Sequence, residues 1–440
     1  MSAEIAEKKL TLSSCIEIAL KNATSLKKSE SSLKLQAADV LKSYGGFLPK
    51  VSVAIGYMPN VLRRSYSQIY LGDNISKIKT ESESVDLTLT TSLNLFNGFR
   101  DYAALQSSLN KKRAAEYSLS RALQAVAYDV TQAYYQTLLD QQLLDISKEN
   151  LISVQDQLTL TDKQFQVGLK SMIDRDQQQA EAAQSGLSVI KAETRMQHSM
   201  FELLRRLKID PMTKISLEPS PDELKPTFTR KSDIDSLVTS ALARRSDLKS
   251  KGFESSASKW QITESRSAWY PHLDLNVNAS TSGTASLNQT ISGIPPIEYS
   301  FPPLSDQLRN SISYSVGLNL TWSIFDGFQT HYNVQASKIN HFNQQLDYED
   351  LKNNIIIDIQ QAVKEYTSAF MQIEASQASL TAAQSAYNGV KRKYELGAAS
   401  FVELSTARAT LFNARSNLSQ AIYNLALQKN VLDFTTGNLP

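Results

Sequence analysis

The sequence is poor in the residues from which most active sites are built. A single cysteine, Cys15, excludes an internal disulfide, and its helical surroundings make it a small buried residue rather than a nucleophile. The four histidines, His198, His272, His331 and His341, are scattered without metal-ligand spacing. No phosphate-cradling glycine loop and no nucleophile elbow occur. No catalytic residue, metal or cofactor is therefore expected, and the chain does not read as an enzyme. An excess of one charge is missing too. The 46 basic and 44 acidic side chains are interspersed and leave +2, so no nucleic acid partner is expected. Nor does any stretch approach the ~20 apolar residues of a membrane-spanning helix, and the opening Met1-Ser2-Ala3-Glu4 lacks the apolar core of a secretion signal. Those two absences alone expect a cytosolic chain. They lose their force if the chain crosses a bilayer with strands, whose hydropathy signal is far weaker.

What is present is a duplication, the first thing to test in a chain of 440 residues. Leu12, Ile16, Ala19, Leu20, Leu26 and Pro49 recur as Ile234, Val238, Ala241, Leu242, Leu248 and Pro271, all at an offset of 222. Further on, Phe96-Asn97-Gly98-Phe99 recurs as Phe325-Asp326-Gly327-Phe328, and Gly168 with Ser171 as Gly397 with Ser400, now at an offset of 229. The halves thus match apart from a seven-residue insertion between Pro271 and Phe325. Residues 1–208 form the first repeat and 231–440 the second. The proline-rich stretch 209–230 links them.

Each repeat reads in the same order. A short helical pair is stopped by Pro49 or Pro271. Strands follow over about 49–59 and 84–96, and over about 271–281 and 311–325, each with an apolar and a polar face. Val85, Leu87, Leu89, Leu93 and Leu95 against Asp86, Thr88, Thr90, Ser92 and Asn94 show the alternation most clearly. The stretches 60–83 and 282–310 read as loops. Long helices are expected over about 99–166 and 328–395, each on the order of 100 Å at ~1.5 Å per residue. In the second, Ile359, Val363, Tyr366, Phe370, Ile373 and Leu380 form a heptad seam with a polar gap at Gln377, flanked by alanines. A glycine turn then leads into a shorter helix, about 171–207 or 400–435.

Four strands from one chain cannot close a barrel, since about eight are needed, and an open edge cannot stand in hydrocarbon. A membrane-spanning chain of this kind must therefore oligomerise. Phe47, Phe96, Phe99, Trp269, Tyr270, Phe325 and Phe328 cluster where strand meets helix, at one end of all four strands, as an aromatic girdle would.

This order, repeated twice, is similar to the TolC family of outer-membrane factors, and the similarity covers nearly the whole chain. Phe165-Gln166-Val167-Gly168-Leu169-Lys170-Ser171 with Ile173-Asp174, and Tyr394-Glu395-Leu396-Gly397-Ala398-Ala399-Ser400 with Val402-Glu403-Leu404, carry it most sharply. The resemblance implies a mixed α and β fold, mostly helical. Three chains would share a 12-stranded β-barrel in the outer membrane, four strands each, standing on a long α-helical coiled-coil barrel in the periplasm. It implies a homotrimer in outer-membrane lipid, docked to a periplasmic adaptor protein and through it to an inner-membrane pump. Val167, Gly168, Leu169, Lys170 and Ser171, with Leu396, Gly397, Ala398, Ala399 and Ser400, would be the adaptor-docking tips. Asp174 and Glu403 match positions that the family places near the pore constriction, where three-fold symmetry makes carboxylate rings. Tyr394 matches a gating position. The arginine that some members carry two residues after the second glycine is Ala399 here, so the family's closing contacts do not transfer. The expected function is the exit duct of a tripartite efflux pump or a type I secretion system. The competing reading is a coiled-coil spacer protein whose hairpins pack together without lipid.

Overall fold

The computed structural model describes residues 8–68, 75–213, 215–218, 234–292 and 294–438. In chain order the first repeat runs β1 (Lys8–Leu10), α1 (Leu12–Asn22), α2 (Thr24–Tyr44), β2 (Lys50–Gln68), β3 (Ile75–Phe96), α3 (Arg100–Gln166) and α4 (Met172–Leu207). After β4 (Ile215–Leu217) the second runs α5 (Ile234–Arg244), α6 (Ser246–Arg266), β5 (His272–Ile291), β6 (Ile297–Tyr299), α7 (Leu304–Asn310), β7 (Ser313–Thr321), α8 (Gln329–Glu395) and α9 (Phe401–Thr436). Two compact units result. One holds residues 35–112 and 253–345, and the other holds 1–34, 113–252 and 346–440.

The first unit contains an antiparallel sheet, ordered β2, β3, β5, with β6 and β7 both on the far side of β5. Its apolar residues share one face. Tyr57 stands opposite Val85, Leu89 opposite Ala279, and Leu275 opposite Leu318. Val51, Val53, Ile55, Val316, Leu318 and Leu320 on that face are exposed, so the face has no core of its own within the chain.

The strands depart from the sequence reading. β2 and β3 run on to Gln68 and back from Ile75, and β5 runs to Ile291, through most of what read as loops; β7 stops at Thr321, short of the expected 325. The reason is physical. Beyond Tyr57 the ladder shifts at the bulge before Val61, Val61 and Leu62 stand side by side, and charged residues such as Arg63, Arg64, Lys77, Lys79, Glu81 and Glu83 predominate, so period-two alternation vanishes although the ladder continues.

The second unit packs the helices. Leu10, Cys15, Ala19, Val130, Tyr134, Leu138, Leu203, Leu207, Ile215 and Leu217 form its largest apolar cluster. Ala241, Leu248, Ile355 and Ile359 form a second, and here Ala241 and Ile359 are the repeat mates of Ala19 and Val130. The interval 209–230, read as linker, contributes a strand: β4 pairs parallel with β1, Leu10 beside Leu217. Pro219, Pro221 and Pro226 lie outside the described residues.

The coiled-coil seam of α8 is also corrected. Ile355, Ile359, Ala362, Tyr366, Ala369, Ile373, Ser376, Leu380, Ala383, Tyr387, Val390 and Tyr394 follow alternating steps of four and three, and every one is buried or half-buried. Ala362, Ala369 and Ala383, expected as flanks, are the buried positions, while Val363 and Phe370 are half-buried beside them. Small side chains on the seam let helix axes approach closely.

Candidate functional site at the hairpin ends

The two helical hairpins, α3 with α4 and α8 with α9, end in turns of one design. In the first, Gly168 (φ 81°) donates its N–H to Phe165 at 2.9 Å and Leu169 donates to Gln164 at 2.8 Å. In the second, Gly397 (φ 75°) donates to Tyr394 at 3.0 Å and Ala398 to Lys393 at 2.8 Å. This is a Schellman cap, in which a left-handed glycine closes the last carbonyls of a helix.

The following helix is capped at once. The Ser171 hydroxyl accepts from the Asp174 N–H at 3.1 Å, while one Asp174 oxygen accepts from the Ser171 N–H at 3.1 Å and its hydroxyl at 2.8 Å. Ser400 and Glu403 repeat the pattern at 3.2, 2.6 and 3.0 Å. The expected pore carboxylates therefore complete capping boxes. The Ser171 hydroxyl, then its amide, hold the Asp174 carboxyl below its ordinary range; the Ser400 amide, then its hydroxyl, do the same for Glu403. The signal was legible as Ser-x-x-Asp and Ser-x-x-Glu. The lowered pKa keeps each carboxylate charged, and only one oxygen of each takes part in these bonds.

Val167, Leu169, Met172, Ile173, Leu396 and Val402 are exposed around the two turns. Lys170 is half-buried instead, because its ammonium lies 4.2 Å from the ring centre of Tyr394 on the other hairpin. Tyr394 is buried and its hydroxyl has no hydrogen-bond partner. The repeat mate of Tyr394, Phe165, carries Arg175 of its own hairpin at 4.8 Å. Further in, Arg408 of α9 donates to Glu181 of α4 at 3.1 Å, with Arg408 almost fully buried. Buried Gln178 donates to the Val154 carbonyl at 3.3 Å. Contacts between hairpins such as Lys170 with Tyr394 and Arg408 with Glu181 left no mark in the sequence.

At the junction of strand and helix, Phe96 and Phe99 meet edge to face at 5.6 Å, and Phe325 and Phe328 at 5.5 Å. Phe99 and Phe328 share φ 66°, a left-handed conformation costly for aromatic residues. Asn97 and Asp326 hold it in place, accepting from the N–H groups of Asp101 and Thr330. Trp322 donates its indole N–H to the Trp269 carbonyl at 3.1 Å. Phe47, Trp269 and Tyr270 are exposed at the same junction. No group of metal-ligating side chains occurs among the described residues.

The whole pattern, two repeats of hairpin strands and long paired helices, is matched by the family model described as outer membrane efflux protein, once over residues 15–207 and again over 237–438. The chain belongs to that family. Outer membrane efflux proteins are outer-membrane channels of the efflux and secretion type and not enzymes. Among curated members, Protein CyaE of Bordetella pertussis is 23% identical over 92% of this chain and 79% of its own length. Outer membrane protein TolC of Escherichia coli is 20% identical over 89% of this chain and 75% of its own. The Campylobacter jejuni CmeC outer membrane channel has the same fold, with a TM-score of 0.80 over 97% of this chain and 85% of its own, at 19% identity.

Proposed function

We propose that this chain is the outer-membrane exit duct of a tripartite efflux pump or a type I secretion system. It works as a homotrimer whose hairpin ends dock a periplasmic adaptor protein and, through it, an inner-membrane pump. The observation that carries the reading is the apolar sheet face. A row of exposed Val, Leu, Ile and Tyr side chains on a sheet with two open edges needs lipid on one side and further strands on the other. The exposed apolar side chains around Gly168 and Gly397 support docking at the ends, and the aromatic residues at the strand–helix junction support a girdle at the lipid boundary.

Asp174 and Glu403 are proposed as carboxylate rings that favour cations near the constriction. Because each also caps a helix, the informative substitutions are Asp174→Asn and Glu403→Gln, which keep an acceptor for the serine and remove the charge. Mass in detergent and conductance in planar bilayers test the duct. A conducting trimer supports it, and a water-soluble, silent oligomer overturns it. Loss of cation preference in the double variant supports the rings; unchanged preference in a conducting channel rules them out.

A further inference from the structure

The sheet of residues 35–112 and 253–345 changes character at one row. β2 pairs Met58 with Ser84 and then Val61 with Ser82, so it carries an extra residue relative to β3. β5 does the same on the other side of β3, pairing Thr284 with Ser84 and Leu287 with Ser82. Two bulges thus flank the Ser84 row, one in each neighbour.

Side chains directly opposite one another share a face, and an extra residue reverses which alternate positions of a strand reach it. Below the bulges the polar face takes the even-numbered residues of β2 and β5, such as Ser52, Ala54, Asn276 and Asn278. Above them it takes the odd-numbered ones. That face then turns apolar, with Val61, Ile78, Leu287, Ile291, Ile297 and Tyr299 on it. The Tyr299 hydroxyl donates to the Gln289 side chain at 3.0 Å along the same face, in agreement with the pairing. The opposite face turns charged. Arg64, Lys77, Lys79, Glu81, Glu83 and Glu298 lie there, and Lys79 pairs with Glu81 at 2.6 Å.

Arg63 departs from this division. Among the described residues of these strands above the bulges, it is the one charged residue on the apolar face. It is exposed and stands directly opposite Thr80, with Val61 next along its own face and Ile78 diagonally across. Among the described residues it makes no ion pair. On that face of β2, β3, β5 and β6 the nearest acid is Asp86, which lies about 20 Å down β3 from Thr80 at ~3.3 Å per residue.

On the trimeric duct reading the apolar band up to Tyr57 and Val85 meets lipid, so the other face lines the lumen. The stretch above the bulges then lines the mouth, at the end of the sheet away from Phe96 and Trp269. We infer that three Arg63 side chains, one from each copy, form a ring that favours anions in this mouth, set in an apolar collar. This rests on the duct reading and adds a basic ring to the acidic ones proposed at Asp174 and Glu403. The paired bulges turn Arg63 inward while its neighbour Arg64 faces out. No carboxylate on the same face is close enough to neutralise it. Val61, Ile78, Leu287 and Ile297 supply low-dielectric walls, which focus the field of a ring of one sign. Rings of arginine are a means by which pores favour anions.

Reversal potentials of the purified, full-length protein in planar bilayers under a KCl gradient test the ring. Arg63→Gln should shift the preference toward cations. Arg64→Gln removes the same charge one residue away on the outward face and should leave the preference where it was. Equal shifts from the two, or no shift from Arg63→Gln, overturn the assignment. Trimers that stay closed are read by thiol labelling instead, with Cys15 left in place because it is buried. At Ile78→Cys the rate with an anionic methanethiosulfonate, relative to a cationic one, should fall about fourfold when Arg63→Gln is added. An unchanged ratio, or an equal fall with Arg64→Gln, overturns the assignment too. A monomeric unsubstituted chain overturns the duct reading itself, so its mass separates the two failures.

Discussion

The ammonium of Lys170 sits 4.2 Å from the centre of the Tyr394 ring, joining the end of one helical hairpin to the other. The two residues belong to different repeats, and the position matching Lys170 in the second repeat is Ala399. The clasp is thus one-sided: the first hairpin reaches across and the second does not.

Lys170→Met should loosen both hairpin ends. The contact is worth about 0.5–2 kcal/mol when partly desolvated, so amide exchange around Gly168 and Gly397 should quicken in proportion. Tyr394→Phe should leave exchange unchanged, because the Tyr394 hydroxyl has no partner to lose. A loss from Tyr394→Phe equal to that from Lys170→Met would show that the hydroxyl, rather than the ring facing the cation, holds the ends together.

Buried Arg408 and half-buried Glu181 form a pair between the hairpins. Arg408→Met should lower stability by about 1–3 kcal/mol, because it leaves a poorly hydrated carboxylate without its partner. Replacing both, Arg408→Met with Glu181→Leu, should recover most of that loss. Thermal unfolding of the four members of the cycle in detergent gives the coupling, and additive effects would argue against a paired role.

The helices were legible from sequence because their signals are local. Gly168, Ser171 and Asp174 carry a whole turn within seven residues, and the same spacing at Gly397, Ser400 and Glu403 repeats it. The strand ends were not legible, because alternation reports the contrast between two environments and fades where Val61 and Leu62 fall side by side and Arg63, Arg64, Lys77 and Lys79 follow. β4 was hidden for another reason. Its three residues take their strand character from β1, about two hundred positions earlier, and nothing near Ile215 announces that pairing. In α8 the large side chains Val363 and Phe370 sit one position off the seam, because close helices bury the smaller Ala362 and Ala369 instead.

The capping boxes should make the hairpin ends pH-sensitive in a defined direction. Asp174 and Glu403 have depressed pKa values in the folded chain. Their contribution is complete above the ordinary carboxylate value and is lost progressively as pH falls from there through the depressed one. Protection of the Ser171 and Ser400 amides should follow that course. Ser171→Ala should cost about 1 kcal/mol at neutral pH and flatten the profile at the first hairpin only.

Gly98 and Gly327 are repeat mates with the same φ of 65°, yet they should differ under substitution. A Cβ on Gly98 would lie 2.6 Å from the Ser267 carbonyl oxygen, whereas one on Gly327 meets nothing within 4 Å. Gly327→Ala should cost about 1–2 kcal/mol from the left-handed backbone alone. Gly98→Ala should cost clearly more, since backbone must move. Equal losses in thermal unfolding would mean that the Ser267 segment yields freely.

The hairpin ends settle their own backbone needs. Schellman glycine and capping serine each close two of the four backbone groups that a helix terminus leaves open, with both devices inside Gly168–Asp174 and Gly397–Glu403. Such an end is preorganised. On the docking reading proposed above, a partner would displace nothing from the turn and would have little ordering entropy to supply, so its affinity would rest on the apolar contact it makes.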